Sequence, residues 1–185
     1  MEAILDKMSE LQRLLVATSI DYWKDYVFNT WQWWVNIGTL ILPLILWWKL
    51  VNKSKLINIM VYGFFASGFA VLFDIIGETL VLWEYPFLII PMDYILIDTD
   101  YSILPVAYML IYQKYSKWSS FIFANVLLSA IFSFIAEPLL IWIGFYELHG
   151  WRFIYSFPIY IAIAIVCRLI TEFFIKKENT FKHRK

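Results

Sequence analysis

The chain has 185 residues, of which 62% are hydrophobic, 21% aromatic and only 16% charged. A soluble domain is about 45–50% apolar and about 25% charged, so this composition excludes a disordered chain and almost any soluble globular fold. Fifteen Lys and Arg balance fifteen Asp and Glu, which removes the basic field a nucleic-acid binder needs, and the length suits one domain.

At the start of the chain, Ile4, Met8, Leu11 and Leu15 recur at helical spacing, with Asp6, Lys7, Glu10 and Arg13 between them. This predicts an amphipathic helix lying on the membrane or on the rest of the protein. The interleaved charges are unlike the basic start and apolar run of a secretory signal. Glu2 and the terminal Lys-His-Arg-Lys offer no lipidation motif.

A hydrocarbon core about 30 Å thick needs about 20 apolar residues as helix. Five stretches are read as spans: 33–48, 56–83, 102–112, 119–146 and 153–175. The third is short; it is completed by starting at Tyr94, or it is a broken helix entered through Leu104-Pro105. The expected fold class is therefore all-α: a polytopic membrane bundle of about five transmembrane helices behind an N-terminal amphipathic helix. Residues 1–30 are read as an extracytoplasmic segment, 31–176 as the membrane domain and 177–185 as a basic cytoplasmic tail attracted to anionic headgroups.

Lysine and arginine in short loops set orientation. Lys49, Lys53 and Lys55 follow the first span, Lys114 and Lys117 the third, and Lys176, Lys177, Lys182, Arg184 and Lys185 the fifth. The second loop has no Lys or Arg, and the fourth has only Arg152. The expectation is a bacterial cytoplasmic or spore membrane protein, N-terminus outside and C-terminus cytoplasmic. Trp31, Trp33, Trp34, Trp47, Trp48, Trp83, Trp118, Trp142 and Trp151 fall near span ends, as an interfacial aromatic belt does. The single cysteine, Cys167, lies in an apolar run and reads as a buried thiol. His149 and His183 have no metal-ligand spacing, so neither a metal nor a cofactor is expected.

Spans two and four echo each other. Residues 73–83, Phe-Asp-Ile-Ile-Gly-Glu-Thr-Leu-Val-Leu-Trp, align with 132–142, Phe-Ser-Phe-Ile-Ala-Glu-Pro-Leu-Leu-Ile-Trp. Residues 56–115 and 118–176 are thus a candidate parallel repeat of two hairpins, an arrangement that builds membrane sites at the repeat interface. The alignment sets Glu78 against Glu137 and Gly77 against Ala136.

Asp74, Glu78 and Glu137 are the candidate catalytic residues. A mid-membrane charge costs at least about 2.5–3.5 kcal/mol, so these side chains are expected to face protein. Asp74 and Glu78 share a helix face. Close packing through Gly77 and Ala136 would let Glu78 face Glu137. Neighbouring carboxylates in low dielectric cannot all ionise, which equips such a site for acid–base work, proton-coupled movement or cation binding. The competing reading is structural, with hydrogen bonds from Tyr62, Tyr108, Asn125, Ser129, Ser133 or Tyr155. Arg168 and Glu172, four apart, read as a structural ion pair with the Arg end snorkelling. Asn36, Asn58 and Asn125 read as interhelical hydrogen-bond glue. Between spans two and three, 86–91 is apolar but too short to cross, and Asp93, Asp98 and Asp100 follow. That loop reads as a re-entrant or interfacial cover, or as an oxygen-rich cation site lacking the Gly turn and closing Glu of a calcium loop.

Leu82-Trp83-Glu84-Tyr85-Pro86, Leu104-Pro105, Ala136-Glu137-Pro138-Leu139 and Ile154-Tyr155-Ser156-Phe157-Pro158 resemble a family of small uncharacterised membrane proteins of endospore-forming Gram-positive bacteria. The resemblance covers about residues 33–175 and implies a cytoplasmic or spore membrane. A fainter likeness is to membrane-embedded lycopene cyclase domains, small bundles with Pro and Glu at matched helix ends. This chain has Glu137-Pro138 where they have Pro-x-Glu-Glu.

The first functional expectation is an integral membrane protein with a structural or interaction role, associated with sporulation. The second is an enzyme or binding protein for an isoprenoid or lipid, which requires Glu78 and Glu137 to line a pocket open to lipid. The third is a small proton-linked transporter. Residues 56–69 and 121–128 offer no ionisable group for a continuous relay. Membrane lipids, a hydrophobic ligand or another membrane protein are the expected partners, and nucleic acid is not.

Overall fold

The computed structural model describes residues 1–91 and 95–182. Asp93, His183, Arg184 and Lys185 lie outside the described residues, as does the side chain of Lys182. The chain is an all-α bundle. Helix α1 (Glu2–Tyr22) passes through a π-turn (Trp23–Val27) towards α2 (Trp31–Leu50). A 3-10 turn (Lys53–Lys55) leads into α3 (Leu56–Thr79). A second π-turn (Thr99–Ile103) opens α4 (Leu104–Lys114). Helix α5 (Trp118–Ile131) continues through a third π-turn (Phe132–Ala136) into α6 (Glu137–Trp142), and α7 (Phe153–Lys182) ends the chain. Strands β1 (Trp83–Glu84) and β2 (Glu147–Leu148) form one short antiparallel ladder, Glu84 opposite Glu147.

Among the described residues, four helices are long and apolar enough to cross a membrane: 31–50, 53–79, 118–142 and 153–180. The expected third span is shorter, an 11-residue α-helix behind a five-residue π-turn. Helix α3 packs against α4 and α7, and α7 packs against α5, so the last helix sits between the two outward arms.

The bundle is apolar outside, and it buries acids, amides and hydroxyls beside an apolar core. Phe64, Phe123, Leu42 and Ile57 are exposed on its flanks. Asp74, Asp98, Asp100, Asn125, Ser129, Ser133 and Glu137 are buried. Water would favour the reverse, whereas lipid favours this arrangement. The protein is an integral membrane protein. Cys167 is buried, as its apolar run predicts.

The two ends of the bundle are closed differently. At the end bearing most of the lysines, Gln113 donates to the Leu50 carbonyl (3.2 Å) and accepts from the Asn52 N–H (2.9 Å). Arg168 donates to Glu172 at 2.7 Å, as the i,i+4 spacing predicts. It does not snorkel: it is 4% exposed and also donates to the Tyr115 and Ser116 carbonyls at 3.2 and 2.5 Å. Its guanidinium lies over the rings of Trp118 and Phe121.

At the opposite end, loop 85–91 is fastened to the N-terminal elements. Trp23, Trp33 and Asn36 donate to three consecutive carbonyls, Leu88 (3.0 Å), Ile89 (2.9 Å) and Phe87 (2.5 Å). These tryptophans therefore hold a loop. Trp31, Trp34, Trp48 and Trp142 are exposed and keep the disposition of an interfacial belt, while Trp47 and Trp83 are buried.

Candidate functional site

The site is built by two helix ends that finish alike. In α3, the N–H of Leu82 donates to Gly77 (2.9 Å) and that of Val81 to Glu78 (2.9 Å). In α6, the N–H of Phe145 donates to Leu140 (2.8 Å) and that of Gly144 to Ile141 (3.0 Å). Both pairs are the crossed bonds of a Schellman cap, which needs a left-handed residue. Gly144 supplies it at φ 79°, and Val81 is forced into it at φ 54°. Counting back seven residues from each cap reaches Asp74 in one helix and Glu137 in the other. The repeat, aligned on its caps, thus equates Asp74 with Glu137.

The sequence alignment of Glu78 with Glu137 is therefore offset. Gly77 does not receive Ala136: a Cβ on Gly77 would overlap the ring of Trp83, which folds back onto α3. Trp83 is buried whereas its sequence partner Trp142 is 81% exposed. Helix α7 lies between the two arms, and Glu78 and Asp74 line different cavities.

The first cavity, roughly 70 Å³, is lined by α3, the π-turn before α4, the start of α4, the two loops and α7. Asp74 and Asp100 lie on its wall, within hydrogen-bond reach of each other. Tyr85 donates to Asp74 Oδ1 at 3.0 Å, and the Leu96 N–H reaches Oδ2 at 3.4 Å. Across the cavity, Ser156 and Tyr160 donate to Glu137 at 3.1 and 2.8 Å. Trp151 in turn donates to Ser156 at 2.8 Å. Asp98, two residues before Asp100, accepts from Thr39 at 2.8 Å. The partners of Asp74 and Glu137 are thus Tyr85, Ser156 and Tyr160. Tyr62 and Tyr108 instead donate to the carbonyls of Ala164 and Tyr160 in the core, and Asn125 donates within its own helix. Asn36 does act as glue, on the loop.

Sequence reasoning missed Tyr85 and Tyr160, and it named Asp100 in the loop as a cover or cation ligand without pairing it with Asp74. Each of the two inner π-turns runs into a helix with proline as its second residue, Pro105 or Pro138. Proline lacks an N–H and crowds the carbonyl four residues back. Widening the turn accommodates both defects, and π-bulges recur at functional sites.

The second cavity, about 680 Å³, is an open groove beneath the end of α1. Leu15, Val27, Leu88 and Pro91 give it apolar walls, and Glu78, Glu84 and Glu147 give it carboxylates. Trp83 and Tyr85 line both cavities and form the partition between them. Burial, then the charges of Glu147 and Glu84, raise the hydroxyl of Tyr22 above its ordinary range. Burial and then Asp74 hold that of Tyr85 well above it, so both stay donors.

Comparison with known proteins gives no match: no family model, curated protein or solved structure is similar to this chain.

Proposed function

We propose that this membrane protein binds an amphipathic, lipid-like molecule in the groove under α1, with its apolar body along Leu15, Val27 and Leu88. The carrying observation is the groove itself: about 680 Å³, apolar walls and a carboxylate-bearing mouth. Ligand sites commonly have volumes of about 300–1,000 Å³ and a few convergent polar groups. No Lys, Arg or His lines it among the described residues, and His149 meets Glu84 from beyond the lining at 2.9 Å, so the head it favours is cationic, an amine or quaternary ammonium drawn to Glu78 and Glu147. Tyr22, Trp23 and Tyr85 add aromatic faces that attract such a head. The enclosed cavity is too small for an isoprenoid, which argues against chemistry on a polyene at Asp74 or Glu137. Glu78, on the groove, is a binding residue in this reading.

The lysine distribution supports an orientation with the groove outside and the lysine-bearing end cytoplasmic. The resemblance to membrane proteins of endospore-forming bacteria supports a role in that membrane.

The test is mass spectrometry of lipids retained by the purified protein. Wild type is expected to enrich an amine-headed lipid over the bulk membrane, Glu78→Gln/Glu84→Gln to lose it, and Glu137→Gln to keep it. Bulk lipid composition in the wild type would reject the proposal.

A further inference from the structure

The enclosed cavity carries a second inference, independent of the groove. Asp74, Asp98, Asp100 and Glu137 gather in and around it, and each is buried. The lining includes no Lys, Arg or His among the described residues. Asp100 is 2% exposed and lines the cavity, yet its Oδ2 receives no N–H or O–H donor. Asp98 Oδ1, in the same turn, receives none either. A buried carboxylate oxygen left so is costly.

We propose that the cavity is a binding site for a hard divalent cation, held between the carboxylates of Asp74 and Asp100. The donor set is all oxygen: the two carboxylates, with Thr99, Ser156 and Tyr146 elsewhere in the lining. Oxygen donors of this kind select Ca²⁺ or Mg²⁺ over softer metals. Two ionised carboxylates balance a 2+ charge. Roughly 70 Å³ leaves room for an ion with one or two waters, at about 30 Å³ per water. The partition of Trp83 and Tyr85 marks the way in from the groove.

Carboxylates bind a cation only when deprotonated, so binding releases to solvent any proton the pair holds. Affinity should therefore rise with pH. The titratable groups around the pair are Asp98 on the π-turn, Glu137 on α6, Tyr85 and Tyr146 in the loops and Tyr160 on α7. Each remaining carboxyl adds negative potential that favours the cation.

The experiment is calorimetric titration of the purified, chelator-washed protein in detergent with CaCl₂ and with MgCl₂, in two buffers of different ionisation enthalpy. The expected result is saturable one-to-one binding of at least one cation, with proton release, weakened at least tenfold in Asp100→Asn and unchanged in the surface variant Asp6→Asn. Asp74→Asn serves as a second variant should Asp100→Asn not fold. No saturable heat up to 10 mM ion in the folded wild type, or binding as tight as wild type in a folded Asp100→Asn or Asp74→Asn variant, would overturn the proposal.

Discussion

Arg168 shows how one side chain can close a bundle. Its apparent partner is Glu172, but that carboxylate is 41% exposed, and exposed ion pairs contribute little. The carbonyls of Tyr115 and Ser116 also accept from Arg168, and a charged donor to each is worth about 1.5–3 kcal/mol. Glu172→Gln should therefore cost under about 1 kcal/mol, while Arg168→Gln should cost about 3 kcal/mol or more. Thermal unfolding in detergent separates the two; equal losses would show that the ion pair dominates. Val81 is the opposite case, a β-branched residue at φ 54°. Such strain costs of order 1–3 kcal/mol, and its counterpart in the repeat is Gly144. Val81→Gly should stabilise the protein by about 1 kcal/mol, raising the unfolding midpoint.

At the level of elements, the π-turns decide which side chains meet. A π-turn carries one more residue than an α-turn, which rotates everything beyond it by about 100° relative to a regular helix. In α5–α6 that rotation brings Glu137 onto Ser156 and Tyr160. Pro138→Ala should allow the turn to regularise and swing Glu137 off its donors, costing about 2 kcal/mol from a partly unsatisfied buried carboxyl. Hydrogen exchange around 132–137 would report the change, and an unaltered pattern and midpoint would refute it. These turns also mark the limit of sequence reading. Four of the five expected spans, and Asp74 and Glu137 as buried acids, were legible because apolar length and interfacial aromatics are local signals. The register of the repeat was not. Matching letters favoured Glu78 against Glu137, whereas the caps, set by backbone geometry at Val81 and Gly144, pair Asp74 with Glu137.

Over the whole molecule, polarity is inverted, with the acids inside and the phenylalanines outside. Composition announced this inversion, and the all-α class followed from it. Helix α1 was likewise legible as amphipathic, and its described apolar side chains Ile4, Met8 and Leu11 remain exposed. The groove it covers was not legible, because its walls come from chain segments as far apart as Leu15 and Glu147. Nor was Asp100 legible as a partner of Asp74, since their meeting depends on how α3 packs against the π-turn before α4.

The dependence of both buried charges on α7 has a bearing on synthesis. Ser156, Tyr160 and Arg168 all lie within α7, so Glu137 waits for its donors, and the carbonyls of Tyr115 and Ser116 for theirs, until that helix has been translated. A ribosome-bound chain that stops at residue 150 should be an insertion intermediate, held by the translocation machinery or degraded. The bundle's two interior polar clusters are thus completed together, by one helix.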